Sequence, residues 1–228
     1  DRLLRQDYPA DRFEIIVADG LSDDGTRELL ENIAVNDHRV SVVDNPRQIA
    51  PTGMNILIEQ SKGDVVLRMD GHAYVANDFI KQSVIALLSH QDNGVWAVGG
   101  PLVHVAKTPM GKAIGLAMSH PLGVGNAQHR NPKFEGIGEG TNFPAMYRWV
   151  FERIGIYDES LVRNQDDEFY FRIRQAGGKF FITPKIEYVY FVREKLGQLF
   201  RQYYQYSFWR IPVMLKHRQP TTLRQIVP

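Results

Sequence analysis

Apolar residues along this chain gather into short runs whose spacing switches between strand-like and helix-like periods. Residues 13–19 (Phe13-Glu14-Ile15-Ile16-Val17-Ala18-Asp19) form a β-branched run that predicts a strand ending on a carboxylate. A turn-rich stretch leads to residues 26–34, where Leu29, Leu30 and Ile33 recur at helical spacing and Asp23 or Asp24 is the expected N-cap. The same reading gives strands at 40–43, 65–69, 95–99 and 180–182. It gives helices at 52–61, 78–89, 147–154 and 164–177, with residues 2–5 as a helix end closed by Tyr8-Pro9. Strands alternating with helices in this way predict an α/β fold with a mostly parallel sheet covered on both faces.

Between 102 and 143 the periodicity fades. Six glycines from Gly111 to Gly138, with Pro109, Pro121 and Pro132, predict a long connection with a functional or mobile role. No repeat, low-complexity tract or linker divides the chain. Residues 195–217 mix Phe200, Tyr203, Tyr204, Tyr206, Phe208 and Trp209 with Arg201, Arg210, Lys216 and His217. That pattern fits either an amphipathic helix at a membrane interface or a helix packed on the domain through its aromatic stripe.

Composition narrows this picture by exclusion. The 228 residues suffice for one substantial core or two small ones, and 43% hydrophobic with 23% charged residues is ordinary for a globular chain. A formal net charge of +1 gives no reason to expect a nucleic-acid partner. The absence of cysteine excludes disulfides and thiolate metal sites. No apolar run reaches the roughly 18 residues of a membrane span. The chain opens on Asp1-Arg2-Leu3-Leu4 and closes on Ile226-Val227-Pro228, and both ends read as cuts through a longer protein.

Candidate chemistry sits where the predicted strands and helices begin and end. Residues 65–69 run into Asp70-Gly71-His72, which offers a carboxylate and an imidazole to one divalent cation just past a strand end, where α/β sheets place ligands. Asp19, Ser22 and Asp24 stand in a Gly-flanked turn able to aim a carboxylate and a hydroxyl at a base and ribose. Asn164-Gln165-Asp166-Asp167-Glu168 opens a helix with three acids. They suit the helix dipole, and one turned into a cleft would have a raised pKa and serve as a general base. Arg172 stands four residues beyond Glu168 and should pair with it. His38, His90 and His120 read as surface or packing residues.

Taken in order, Asp19-x-x-Ser22-x-Asp24-Gly25-Thr26, Asn55, Asp70-x-His72 and Gln165-Asp166-x-Glu168-x-x-x-Arg172 resemble inverting family 2 glycosyltransferases over nearly the whole chain. Gln6-Asp7-Tyr8-Pro9, Met69-Asp70-Gly71-His72-Ala73 and Val150-Phe151-Glu152-Arg153-Ile154-Gly155 place the resemblance in the succinoglycan-type exopolysaccharide glucosyltransferase branch. The resemblance implies a GT-A fold at 1–190, with a nucleotide-sugar-binding half at 1–100, an acceptor-binding half at 101–190, and an amphipathic tail at 191–228. It implies a UDP-sugar donor contacted by Asp19, Ser22, Asp24, Asn55 and Asp70. Asp70 and His72 would hold a divalent metal, and Asp166 would be the catalytic base. Gly140, Thr141, Asn142, Asp167 and Arg172 would line the side of a glycan or lipid-linked acceptor.

His72 in place of a second Asp makes Mn²⁺ at least as suitable as Mg²⁺. Gln165 in place of a Glu removes one charge beside the base. The family's first strand would precede Asp1. The expected location is the cytoplasmic face of the inner membrane, with peripheral contact through 195–218. Two other readings are a sugar-phosphate nucleotidylyltransferase and a truncated, non-catalytic sugar-binding domain.

Overall fold

The computed structural model describes residues 2–71, 73–120 and 127–222. Strands β1 (Ile15–Asp19) and β2 (Val40–Asp44) pair in parallel, Asp19 beside Asp44, with helix α1 (Thr26–Asn36) between them. After α2 (Ala50–Gln60) come β3 (Val65–Leu67), β4 (Ala73–Val75), α3 (Phe79–Ser89), β5 (Val95–Gly99), β6 (Val103–Val105) and α4 (Pro109–Ser119). The remainder holds β7 (Gly136–Gly138), β8 (Ala145–Tyr147), α5 (Arg148–Ile154), α6 (Gln165–Gln175), β9 (Lys179–Ile182), β10 (Tyr188–Phe191) and α7 (Leu196–His217).

The main sheet has five strands in the order β3-β8-β5-β9-β7, and a smaller one has the order β4-β10-β6. Alternation along the strands loads both faces of the main sheet. Val65, Leu67, Ala145 and Val98 join a core with Phe79, Leu87, Ile186 and Tyr188. Val66, Met146, Ala97 and Phe180 join a second core with Val150, Phe151, Phe169 and Ile173. The α/β architecture with helices on both faces is thus as expected.

The sheet is mixed, however, where a mostly parallel one was predicted. β5·β9, β1·β2 and β6·β10 are parallel, whereas β3·β8, β5·β8, β7·β9 and β4·β10 are antiparallel. β8 follows the 139–144 segment and runs against both β3 and β5, so it carries two of the antiparallel pairings.

The glycine-rich region is also more regular than expected. Thr108 caps α4 by accepting from the Gly111 N–H, and Pro109 opens the helix. Its glycines allow close packing: a Cβ at Gly111 would lie 2.8 Å from Ala106 Cβ, and one at Gly115 would lie 3.3 Å from His104 Cβ. At α1 the N-cap residue is Gly25, with φ of 86°, rather than an Asp. Asp24 instead accepts from the Thr26 N–H at 3.1 Å.

Helix α7 buries Val213 and packs Leu199 against a small core with Ile114, Met118 and Val192. Its opposite face leaves Leu196, Phe200, Tyr204, Phe208, Ile211 and Leu215 exposed. The packing reading of the tail holds for one face of this helix, and the other face is apolar and exposed. None of the described helices is long and apolar enough to cross a membrane.

Candidate active site

Arg68 lies one residue past β3 and points its guanidinium between two carboxylates. Its Nε is 3.1 Å from Asp70 Oδ1, and its Nη2 is 3.3 Å from Asp70 Oδ2. Its Nη1 is 3.4 Å from Asp166 Oδ2, in the first turn of α6. Burial opposes the charge on Arg68, but Asp70 and Asp166 together hold it protonated, well above its ordinary pKa. The strand end and the helix start, distant in sequence, thereby meet at one cation.

Two tyrosines close this centre from the side. Burial, with Arg68 opposing it, pushes the Tyr157 phenol up to about 12. Burial also pushes up the phenol of Tyr170, one turn along α6 from Asp166, and its buried hydroxyl has no hydrogen-bond partner. A cation between two carboxylates, with an unsatisfied hydroxyl beside them, is polar chemistry without a structural need. Tyr157, Tyr170 and Arg68 were not among the site residues expected from the sequence. Arg68 had one available signal, since a charge inside an apolar strand run requires partners.

Of the three acids opening α6, the one turned wholly inward is Glu168, which is fully buried. A raised pKa was the expectation for such an acid. Burial does act that way on Glu168, but bonds from Arg172, Lys216 and His217 outweigh it and hold the carboxyl below its ordinary range. The expected Glu168–Arg172 pair forms, with Arg172 Nε 3.1 Å from both carboxylate oxygens. Arg172 also donates to the carbonyls of Ile154 and Ile156, so it braces the turn after α5 rather than facing open space. Asp167 donates its backbone N–H to Asp166 Oδ1 at 3.0 Å.

On the donor side, Asp19 is nearly buried at the end of β1. The Ser22 hydroxyl donates to its Oδ1 at 2.7 Å and the Ser22 N–H to its Oδ2 at 3.0 Å. Those bonds, with Arg27 nearby, keep the Asp19 carboxyl below its ordinary range. Asp24 is likewise lowered, chiefly by Thr26, and is close enough to feel the Asp19 charge. The structure thus brings Asp19, Ser22 and Asp24 together.

Asn55 has a different engagement. Its amide donates to the Tyr157 carbonyl at 2.9 Å and to Glu159 at 3.0 Å, and its carbonyl accepts from the Tyr157 N–H at 2.9 Å. It holds the loop that delivers Tyr157.

The 139–144 segment crosses the sheet beside α6. Gly140 passes so close to the Tyr170 ring that a Cβ would lie 2.6 Å from it. Thr141 is buried and donates to the Gly100 carbonyl at 3.0 Å, while Asn142 reaches the Tyr188 hydroxyl at 3.4 Å.

His72 lies outside the described residues. Among those described, no group of three or more His, Asp or Glu side chains forms a metal site. Asp70 supplies a hard, one-third-exposed carboxylate, which suits a cation completed by phosphate oxygens and water. His90 stacks on Phe181 at 3.7 Å, the packing role expected of it. A cavity of about 720 Å³ opens elsewhere, between Tyr74, Val103, Pro132 and Ile186, and is lined by none of Asp19, Asp70 and Asp166.

Comparison with known proteins narrows the readings that this geometry leaves open. The family described as "Glycosyl transferase family 2" matches residues 1–148. The chain belongs to glycosyltransferase family 2. This sets aside the nucleotidylyltransferase reading. The family 2 chain is 34% identical over 221 residues to "Succinoglycan biosynthesis protein ExoA" of Rhizobium meliloti (strain 1021), covering 94% of this chain and 64% of that protein. It is 24% identical over 210 residues to a dolichyl N-acetyl-alpha-D-glucosaminyl phosphate 3-beta-D-2,3-diacetamido-2,3-dideoxy-beta-D-glucuronosyltransferase of Methanococcus voltae, covering 90% of this chain and 65% of that one. It therefore spans just under two thirds of these curated relatives.

The GT-A fold is shared with solved structures. S. aureus TarS 1-349 in complex with UDP-GlcNAc superposes with a TM-score of 0.64 at 15% identity, over 93% of this chain and 61% of that one. GalNAc-T7 with UDP, GalNAc and Mn2+ gives 0.64 at 17% identity, over 85% and 40%.

Proposed function

We propose that this family 2 domain performs an inverting transfer from a UDP-sugar to a glycan or lipid-linked saccharide acceptor in cell-surface polysaccharide synthesis. The observation that carries the reading is the convergence of Asp70 and Asp166 on Arg68. Inversion needs one base beside one anionic leaving group, and no second carboxylate nucleophile. Asp166 accepts the proton of the acceptor hydroxyl while that oxygen bonds to the anomeric carbon. The bond from that carbon to the diphosphate breaks, and the UDP oxygen takes the electron pair. Arg68 is the resident cation nearest this event. Asp19, Ser22 and Asp24 face the uridine, and the 140–142 segment beside Tyr170 faces the acceptor.

Asp70, with His72 as the second ligand implied by the family resemblance, would hold a Mn²⁺ or Mg²⁺ ion that neutralises the departing diphosphate. Support for the donor comes from the UDP-GlcNAc complex of TarS, and support for the polysaccharide context from the succinoglycan relative. The exposed apolar stripe of α7, with exposed Arg193, Lys195, Arg201 and Arg218 around it, supports peripheral contact with the cytoplasmic face of the inner membrane.

Calorimetric titration of UDP, with and without Mn²⁺, tests the site. Metal-dependent binding that disappears in Asp70→Ala is the expected result. Metal-independent binding unaffected by that substitution would overturn the assignment of Asp70.

A further inference from the structure

Helix α7 grips helix α6 on both sides of Asp166. Two residues before it, the Asn164 side-chain amide donates to the Tyr206 backbone carbonyl at 2.9 Å. Asn164 is the N-cap of α6 and sits in the left-handed region with φ of 59°, so it sets the direction in which the helix starts. Two residues after Asp166, the buried Glu168 Oε1 meets Lys216 Nζ at 2.8 Å and His217 Nε2 at 2.9 Å. Lys216 also reaches Asp158 Oδ2 at 2.6 Å.

Neutralising Glu168 does not require α7. Arg172, on the same helix as Glu168, already contacts both of its oxygens. That internal pair stiffens α6, and the bonds from Arg172 to the Ile154 and Ile156 carbonyls hold the middle of the helix to the turn after α5. The contacts from Lys216, His217 and Tyr206 tie the first turn of α6 to α7. The side chain that this turn carries toward Arg68 is Asp166.

We propose that Lys216 and His217 are positioning residues for the transfer: from the end of α7 they hold Glu168, and through it the orientation of Asp166. The proposal rests on Asp166 as the base. It extends the site to a helix whose other face is exposed.

The experiment compares two variants of the full-length enzyme. Lys216→Ala with His217→Ala should lower kcat about tenfold, with donor KM within about twofold, and should speed hydrogen exchange at amides 164–169. Lys216→Arg with His217→Gln keeps N–H donors toward Glu168 and should recover most of the loss. Parent-like kcat in the alanine pair, a change in KM alone, or no recovery in the conservative pair would overturn the proposal. If the alanine pair melts earlier, exchange decides: acceleration confined to 164–169 supports positioning, and equal acceleration in β5 overturns it. Asp166→Asn is run beside them. Parent-like turnover there would sink the base reading, whereas failure of the Lys216 and His217 arm alone would leave that reading standing.

Discussion

Arg68 Nη1 and Asp166 Oδ2 lie 3.4 Å apart although 98 residues separate them. The same guanidinium holds Asp70, so removing it leaves two carboxylates facing each other. Breaking a buried pair by deleting one partner costs about 3–5 kcal/mol. Both carboxylates here are about one-third exposed, which shifts the expected loss for Arg68→Met toward about 2 kcal/mol. Urea denaturation measures it, and Arg68→Lys should restore part of the stability but only one of the two contacts.

Asp166→Asn keeps the side-chain shape and removes the proton acceptor. Loss of a general base is worth about 10²–10⁴ in rate. The turnover of the full-length enzyme should fall by that order with UDP affinity little changed. A fall in UDP affinity of the same size would show instead that Asp166 serves the donor.

Asn55→Ala should act on stability first. It leaves the buried N–H and carbonyl of Tyr157 without their partners. Each unsatisfied buried group costs about 1–3 kcal/mol, so a loss of about 2–4 kcal/mol is expected in chemical denaturation. Because the Tyr157 phenol faces Arg68 and Asp166, turnover should fall as well, and Asn55→Asp should not rescue it.

His104 predicts an acid-side loss of stability. Burial, helped by Arg130, lowers its pKa from 6.5 to about 4. The unfolded chain therefore takes up the proton first, and stability falls as pH drops from about 6.5 toward 4. His104→Gln removes that proton uptake while keeping a group able to bond Ser119. Its stability should change less steeply across the same interval, as thermal melts at a series of pH values would read.

Strands with their own β-branched runs were legible in the sequence: β1, β2, β3, β5 and β9 fall within about two residues of the predicted spans. β7 was not, because Gly136-Ile137-Gly138 has no strand character of its own and is extended through pairing with β9. Helix α4 was hidden by glycines that its close packing requires, although Thr108-Pro109 marked its start. Asp70, Asp166 and the Asp19 turn could be singled out because carboxylates at element ends are visible in one dimension. Arg68 and Tyr170 were missed because each reads as part of an apolar run, and their roles depend on which distant groups the fold sets beside them.

The strand order also fixes a schedule for the growing chain. The first three members of the main sheet to leave the ribosome are β3, β5 and β7, and none of them neighbours another. β8 later fills the place between β3 and β5, and β9, ending at Ile182, the place between β5 and β7. Until those two strands have been synthesised the nascent polypeptide holds three unpaired strands of this sheet, and its need for chaperone protection should be greatest over that interval.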